Sequence, residues 1–346
     1  MPDGPPPNAA DVEAARVLLQ RLGVTAEHLL TTAARPASTP TFDQYIDRIA
    51  LAVPSGSLRA YEPYWNRVRR EWGTRPIDEP KPLEIVQLAE RFKATALVRR
   101  NTRGGRSAAE HLISALRCLY HYAELDGYIT PWANPAAQVS KPRRLASRRR
   151  ALLAGQLEQV NHIAATTGND PELDALLIRL HSETACRRGG ALALRRCDLD
   201  QDHCLIRLRE KGETERWQPI SPTLMRHLWA HAAERGDEDP QTALLRYRDG
   251  RPLTTRRYDY LWNRLGRNLP WVTVQQVTMH WLRHTTLTWV ERNFGYAVAR
   301  AYAGHDGRRD GGTTATYVRA DLYEVATAVA ALTGEPHPLA RSYPRV

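Results

Sequence analysis

The sequence predicts a mainly α-helical protein with one small antiparallel β-sheet, arranged as an N-terminal helical domain followed by a mixed α+β domain. Three observations predict this class. Apolar residues recur at helical spacing in four segments between residues 41 and 127. A break rich in Pro and basic residues follows at 134–150, where a linker is expected. Downstream, helical periodicity surrounds two short segments, 203–208 and 216–220, with the composition of strands.

Residues 1–40 are expected to form a partly disordered N-terminal extension. They begin with a stretch rich in Pro and Gly, and they include one short amphipathic segment from Ala10 to Leu22. Pro36 and Pro40 follow this segment.

Four helices are predicted within a first domain that covers 41–137. Thr41 begins the first helix, and Gln44 three residues later completes a capping-box pattern. The other three begin at residues that favour helix starts, namely Ser57, Pro82 and Ser107. Gly127 stops the last helix. Each segment has a polar face, so together they predict a small helical bundle.

A basic linker is predicted at 138–150. Asn134-Pro135 precedes the run KPRRLASRRR, which carries six cations in ten residues. These cations are candidate contacts to a DNA backbone: Lys141, Arg143, Arg144, Arg148, Arg149 and Arg150. The alternative is a solvated linker that its like charges keep extended.

The second domain is predicted to cover 151–335, with a C-terminal tail at 336–346. Its helices are expected at about 155–165, 171–183, 222–235, 255–266, 279–293 and 320–332. The two strand-like segments can pair across a tight turn at 210–213, which contains Lys211.

Charge and composition narrow the class of function. The 346 residues carry a formal net charge of +11, and Arg far outnumbers Lys. Arginine suits phosphate because its planar fork donates to two oxygens at once, so nucleic acid is a candidate partner beside the alternative of a merely basic soluble protein. The four cysteines have no metal-ligand spacing, and no apolar run suits a membrane span or signal peptide. A cytoplasmic protein without metal or cofactor is expected.

Four separated motifs in the second half carry groups suited to chemistry. They are TACRRGGALAL (184–194), Lys211 in the strand turn, HWLRHT (280–285), and GH (304–305) followed by TTATY (313–317). In this order and spacing they resemble the motifs of the tyrosine recombinase (phage integrase) family. Residues 119–123 and Asn134-Pro135 resemble the end of that family's core-binding domain. The resemblance covers about 41–332.

The resemblance implies a core-binding (SAM-like) domain, a catalytic domain and six catalytic residues. Cations and proton donors at a phosphate stabilise the negative charge of a pentavalent transition state. Arg187 and Arg283 would hold the non-bridging oxygens, while His280 and His305 would donate or shuttle protons. Lys211 would protonate the leaving 5′ oxygen. Tyr317 would be the nucleophile that forms a 3′-phosphotyrosyl bond, which stores the bond energy without ATP.

The resemblance also implies partners. Four copies of the chain would act on paired sites in double-stranded DNA through a Holliday junction, as an integrase or resolvase of a mobile element, with a directionality factor as a further partner. The segment from Asp321 to Leu332 would be a helix that docks on a neighbouring protomer or packs on its own domain.

Two features depart from the family pattern. The family usually has an acidic residue three positions after the first arginine, and this chain has Gly190. Either another group supports the site or the site is looser. The glycine-containing segment between His305 and Tyr317 is longer than usual.

Tyr302 and Tyr323 lie near enough to Tyr317 in sequence to be alternative nucleophiles. His284, next to Arg283, is interpreted as a structural residue.

Two other functions stay open. A type IB topoisomerase shares this residue set and would relax DNA without paired sites. A DNA-binding relative that has lost catalysis is the other alternative, and Gly190 is the feature that suggests it.

Overall fold

The computed structural model describes residues 8–25, 39–96, 105–143, 150–210, 214–236, 239–304 and 320–341. The chain divides into two compact units, Met1–Leu145 and Ala146–Val346. Each unit has its own buried apolar core.

The regular elements of the first unit are helices within its described residues. Its helices are α1 (Ala9–Leu22), α2 (Phe42–Ala52), α3 (Ser55–Trp72), α4 (Pro82–Ala94) and α5 (Arg106–Leu125), with a 3-10 turn at Pro131–Ala133. Thr41 caps α2 as predicted: its hydroxyl accepts from the Gln44 amide, and the Gln44 side chain accepts from the Thr41 amide. Helix α3 begins two residues before the predicted Ser57.

The core of the first unit lies between α2, α3, α4 and α5. Trp65 is almost fully buried, and its indole N–H donates to the Ala115 carbonyl at 3.0 Å. Large apolar side chains such as Phe42 and Leu112 fill the same cluster, whereas α1 contributes no buried residue. Burial of this apolar face is the main stabilising contribution to the bundle.

Asn134-Pro135, where the sequence predicts that the first domain ends, forms a turn whose backbone amides are hydrogen-bonded. The Asn134 side-chain oxygen accepts from the amides of Ala136 and Ala137 at 2.9 and 3.0 Å. Arg117 on α5 donates to the carbonyls of Ala136 and Val139. These bonds hold the chain against α5 as far as Val139.

The second unit mixes helices with one small sheet. Its elements are α6 (Ala154–Thr166), α7 (Pro171–Thr184), α8 (Arg188–Leu192), β1 (Leu199–Asp200), β2 (Leu205–Glu210), β3 (Thr214–Pro219), α9 (Pro222–Arg235), α10 (Thr255–Asn268), α11 (Pro270–Gln275), α12 (Met279–Ala303) and α13 (Leu322–Thr333). Across the ranges given above, no helix has the length and apolar character needed to span a membrane.

The three strands form an antiparallel sheet in the order β1-β2-β3. Strands β2 and β3 are the predicted hairpin, and their register pairs Leu208 with Arg216 and Glu210 with Thr214. The mainly α-helical class with a small antiparallel sheet is therefore confirmed. The sequence did not predict β1 or the short helices α8 and α11.

Buried ion pairs fix α7 at the centre of the second unit. Asp170 at its start accepts from Arg235 at 2.5 Å, and Asp174 one turn later lies 2.7 Å from both Arg257 and Arg264. All five side chains are nearly inaccessible to water. Because each buried charge has an opposite partner, this cluster ties α7 to α9 and α10.

The C-terminal helix α13 packs on its own unit. Val325, Ala328 and Val329 lie in a cluster with Val290 and Tyr302 of α12. Just beyond α13, Glu335 accepts from Arg179 of α7 at 2.7 Å. These contacts hold the helix on the second unit within this single chain.

Candidate active site

Three of the six predicted catalytic residues lie in the described part of the second unit: Arg187, His280 and Arg283. The other three, Lys211, His305 and Tyr317, lie outside the described residues.

Arg187 stands at the junction of two helices. Helix α7 ends because Ala185 adopts a left-handed conformation with φ of 50°, and the Cys186 amide then donates to the Thr184 hydroxyl at 3.2 Å. Arg187 follows as the N-terminal cap of α8. Its side chain is 38% exposed, so the guanidinium can be reached from solvent.

Glu210, at the end of β2, holds Arg187 in place. One carboxylate oxygen accepts from the Arg187 backbone amide at 2.6 Å, and the other accepts from Nη1 of its guanidinium at 2.6 Å. The Glu210 side chain is only 1% exposed. Two charge-assisted bonds from one buried carboxylate fix both the backbone and the side-chain direction of Arg187.

Gly190 leaves the space that Glu210 occupies. A Cβ atom at position 190 would lie 3.1 Å from Cγ and 3.3 Å from Oε1 of Glu210, which is tight packing. The structure thus identifies Glu210 as the group that supports Arg187 in a chain without an acid at 190. Sequence reasoning did not single out Glu210, although an acidic residue at a strand end directly before Lys211 was the available signal.

Arg283 lies on α12 and is 5% exposed. Its Nη2 donates to the Ala303 carbonyl at 2.8 Å, and its Nη1 donates to the carbonyl of Ala185, two residues before Arg187. Both acceptors lie at the C-terminal ends of helices, where the partial negative charge favours a cation. Burial, together with the nearby charge of Arg187, lowers the pKa of Arg283 to about 10, so the guanidinium stays charged at neutral pH.

The histidines of the HWLRHT motif stand on one face of α12. His280 is exposed in the first turn, and its ring centroid lies 5.2 Å from that of His284 in an edge-to-face arrangement. His284 is half-buried. The described geometry therefore leaves His280 as the more accessible of the two rings.

Tyr302 has the environment of a structural residue. It is fully buried, and its hydroxyl donates to the Glu183 carbonyl. Burial raises the pKa of Tyr302 well above its ordinary value, which opposes formation of a phenolate nucleophile. Tyr323 is 46% exposed on α13, and the Arg341 guanidinium lies 5.1 Å from its ring centroid.

The predicted basic linker is only partly described. Lys141, Arg143 and Arg150 are exposed and belong to no helix or strand. Arg144, Arg148 and Arg149 lie outside the described residues.

The cysteines and acidic residues form no metal centre within the described ranges. All four cysteines are unpaired thiols, and no group of three His, Cys, Asp or Glu side chains in that part of the chain has metal-binding geometry. Burial raises the pKa of Cys186, beside Arg187, to about 11, so its thiol is protonated at neutral pH.

Residues 150–323 match the profile of the Phage integrase family. The chain is also similar to tyrosine recombinase XerC of Chlamydia caviae, with 30% identity over 177 residues that make up 48% of this chain and 54% of the relative. A second XerC, from Chlamydia pneumoniae, is 24% identical over 69% of this chain and 72% of the relative. The chain thus spans about half the length of the first relative.

Solved structures share the fold. A lambda integrase tetramer bound to a Holliday junction matches with a TM-score of 0.60 and 18% identity, over 92% of this chain and 88% of the other. The Tn1549 transposon integrase in complex with transposon right end DNA matches with a TM-score of 0.61 and 16% identity, over 80% and 97%. The family profile covers half of this chain, and on that basis the chain belongs to the phage integrase family of tyrosine recombinases.

Proposed function

We propose that this protein is a site-specific DNA recombinase that cleaves and rejoins strands through a 3′-phosphotyrosyl bond to Tyr317. The observation that carries the proposal is the pair of arginines at one site. Arg187 is fixed by Glu210, and Arg283 is fixed by two helix ends, one of them adjacent to Arg187. Two guanidiniums held in this way form a preorganised site for a phosphate.

In the proposed reaction, the Tyr317 oxygen attacks the scissile phosphorus, and the bond from phosphorus to the 5′ oxygen breaks. Arg187 and Arg283 neutralise the charge that develops on the non-bridging oxygens. Lys211 protonates the departing 5′ oxygen, while His280 and His305 donate to the phosphate and move the tyrosine proton. A free 5′ hydroxyl then attacks the phosphotyrosyl phosphorus and releases Tyr317, so bond energy is conserved without ATP.

Glu210 acts in this scheme as a positioning residue. It does not reach the phosphate itself, because both of its oxygens accept from Arg187. Its role is to orient the Arg187 guanidinium and to hold the turn between α7 and α8.

The domain assignment extends this proposal to the whole chain. Residues 41–137 form the core-binding domain, residues 138–150 form a basic linker along the DNA backbone, and residues 151–335 form the catalytic domain. The net charge of +11 supports binding to a phosphate backbone. Residues 1–40 form an N-terminal extension, and residues 336–346 form a C-terminal tail.

We further propose that four copies act on two DNA sites through a Holliday junction, as the integrase or resolvase of a mobile element, with a directionality factor. The likeness to a lambda integrase tetramer bound to a Holliday junction and to a transposon integrase supports this assignment.

A plasmid assay tests the function. The recognised sequence is first selected from randomised duplexes by their binding to the Tyr317→Phe protein. A supercoiled plasmid with two copies of this selected site should then be inverted or resolved by the wild-type protein and left unchanged by Tyr317→Phe. Relaxation of any supercoiled plasmid without rearrangement would indicate a topoisomerase. Binding without covalent adduct or rearrangement would indicate an inactive relative.

A further inference from the structure

Arg216, on β3, carries a buried guanidinium that the proposed mechanism does not use. Its Nε, Nη1 and Nη2 atoms are all inaccessible to water and have no hydrogen-bond partner in the described part of the chain. A buried cation of this kind is strongly disfavoured unless an acceptor reaches it. Burial lowers the pKa of Arg216, as expected for such a group.

The Arg216 side chain lies against the chain segment that leads to His305. A Cβ atom added to Gly304 would lie 2.7 Å from Nε and 2.8 Å from Cδ of Arg216. Gly304 ends α12 with φ of 66°, so a side chain at this position would face both strain and a clash. The glycine therefore lets the backbone approach the guanidinium.

Arg216 also shares the electrostatic environment of the arginine pair. The charges of Arg187 and Arg216 both lower the pKa of Arg283. The carboxylate charge of Glu210 acts to raise the pKa of Arg216. The three guanidiniums thus lie close enough to influence one another around a single carboxylate.

Among the described residues, Glu210 and Tyr302 act electrostatically on Arg216, and the polar groups of both are already engaged. Both oxygens of Glu210 accept from Arg187, and the Tyr302 hydroxyl donates to the Glu183 carbonyl. Within the described residues, three cations therefore surround one carboxylate that is already bonded, which leaves a surplus of positive charge and unused donors. The negative charge of a phosphate would neutralise this surplus, and its oxygens would accept from the unused donors.

We infer that Arg216 is a third guanidinium of the phosphate site and donates to an oxygen of the scissile phosphate when DNA is bound. The inference rests on the proposed function, since it takes the same phosphate as its ligand. Its nitrogens are covered in the DNA-free chain, so the phosphate reaches them only when the backbone at Gly304 shifts.

The test measures phosphate contact separately from cleavage. The selected duplex is prepared with its ordinary scissile phosphate and with a methylphosphonate there, in which a methyl group replaces one non-bridging oxygen and removes the charge. Equilibrium binding of both duplexes is measured in a Tyr317→Phe background, with and without Arg216→Ala. Arg226→Ala is the matched control, because Arg226 is exposed on α9 and donates to the Thr223 hydroxyl one turn away.

We expect Arg216→Ala to weaken DNA binding only when the scissile phosphate keeps its charge. Arg216→Ala should weaken binding of the ordinary duplex about 10-fold, as for loss of a charged hydrogen bond, and should weaken binding of the methylphosphonate duplex little further. In the cleavage-competent protein it should slow adduct formation on a nicked half-site by about 100-fold, the usual effect of removing one transition-state donor. Arg226→Ala should change neither quantity.

Equal losses on both duplexes, together with a lower melting temperature, would overturn the inference. That result would indicate that Arg216 stabilises the folded chain and does not contact the phosphate. If the wild-type protein forms no adduct, the proposed function fails, but the binding comparison still decides whether Arg216 contacts the phosphate.

Discussion

Exchanging the acid between positions 210 and 190 tests how Arg187 is held. Glu210→Ala removes the acceptor of two bonds to Arg187, each 2.6 Å long. A hydrogen bond to a charged group contributes about 1.5–3 kcal/mol, and the partly exposed guanidinium favours the lower part of that range. A loss of about 2 kcal/mol in transition-state stabilisation corresponds to roughly 30-fold in rate.

The reverse change alone should also impair the protein. Gly190→Asp places a Cβ 3.1 Å from Cγ of Glu210 and sets two carboxylates in the same small space. Steric crowding and like-charge repulsion should then displace both side chains. In the double variant Gly190→Asp/Glu210→Ala, the new carboxylate has the room that Glu210 vacates, so we expect it to recover most of the rate.

The assay is single-turnover formation of the covalent adduct on a nicked half-site of the selected duplex, with melting temperature as the measure of folding. Glu215→Ala is the matched control, because Glu215 lies on the same hairpin, pairs with Arg207 and is 50% exposed. It should leave the rate within about 2-fold, as is usual for exposed ion pairs. A Glu210→Ala protein at full rate, or a double variant no faster than either single variant, would refute the positioning role.

Three further predictions concern stability and the competing tyrosine. Burial lowers the pKa of His181 to about 4, so below about pH 6.5 the unfolded chain takes up a proton that the folded chain does not. This one group should lower the free energy of unfolding by about 2 kcal/mol between pH 7 and pH 5, and in urea titrations the total fall should be smaller by about this amount in His181→Gln. Arg235→Met leaves the buried Asp170 carboxylate without its 2.5 Å partner and should cost about 3–5 kcal/mol in the same titrations, whereas a loss below about 1 kcal/mol would contradict that role for the pair. Tyr302→Phe should still form the adduct on the nicked half-site, because Tyr302 bonds to the Glu183 carbonyl and is buried away from solvent. Loss of the adduct at an unchanged melting temperature would contradict a purely structural role for Tyr302.

Local signals in the sequence were sufficient for most of the fold. The capping pattern at Thr41 and Gln44 and the proline at position 82 act on neighbouring residues, so the helix starts at 42 and 82 followed from them. The hairpin of β2 and β3 followed from two strand-like segments joined by a short turn. Helix α12 is interrupted at Gly295, where φ is 82°, so its first part ends close to the predicted residue 293. The second part, which continues to Ala303, was not predicted.

The residues that support the candidate site make contacts between positions far apart in the sequence. A local sequence pattern does not predict such contacts. Glu210 reaches Arg187 across 23 positions of sequence, and it does so because Gly190 has no side chain. The buried Arg216 on β3 depends likewise on the approach of Gly304, which lies at the end of α12. The sequence motifs predicted the catalytic residues. The side chains that orient these residues and neutralise their charges are determined by packing in the folded chain.

The most direct test of the central claim is the identity of the residue joined to DNA. The wild-type protein is incubated with a nicked half-site of the selected duplex, and the adduct is isolated under denaturing conditions, digested and mapped by mass spectrometry. We predict a 3′-phosphate linked to Tyr317, and no adduct with Tyr317→Phe. An adduct that persists in Tyr317→Phe, or one mapped to another residue of the wild-type chain, would contradict the account.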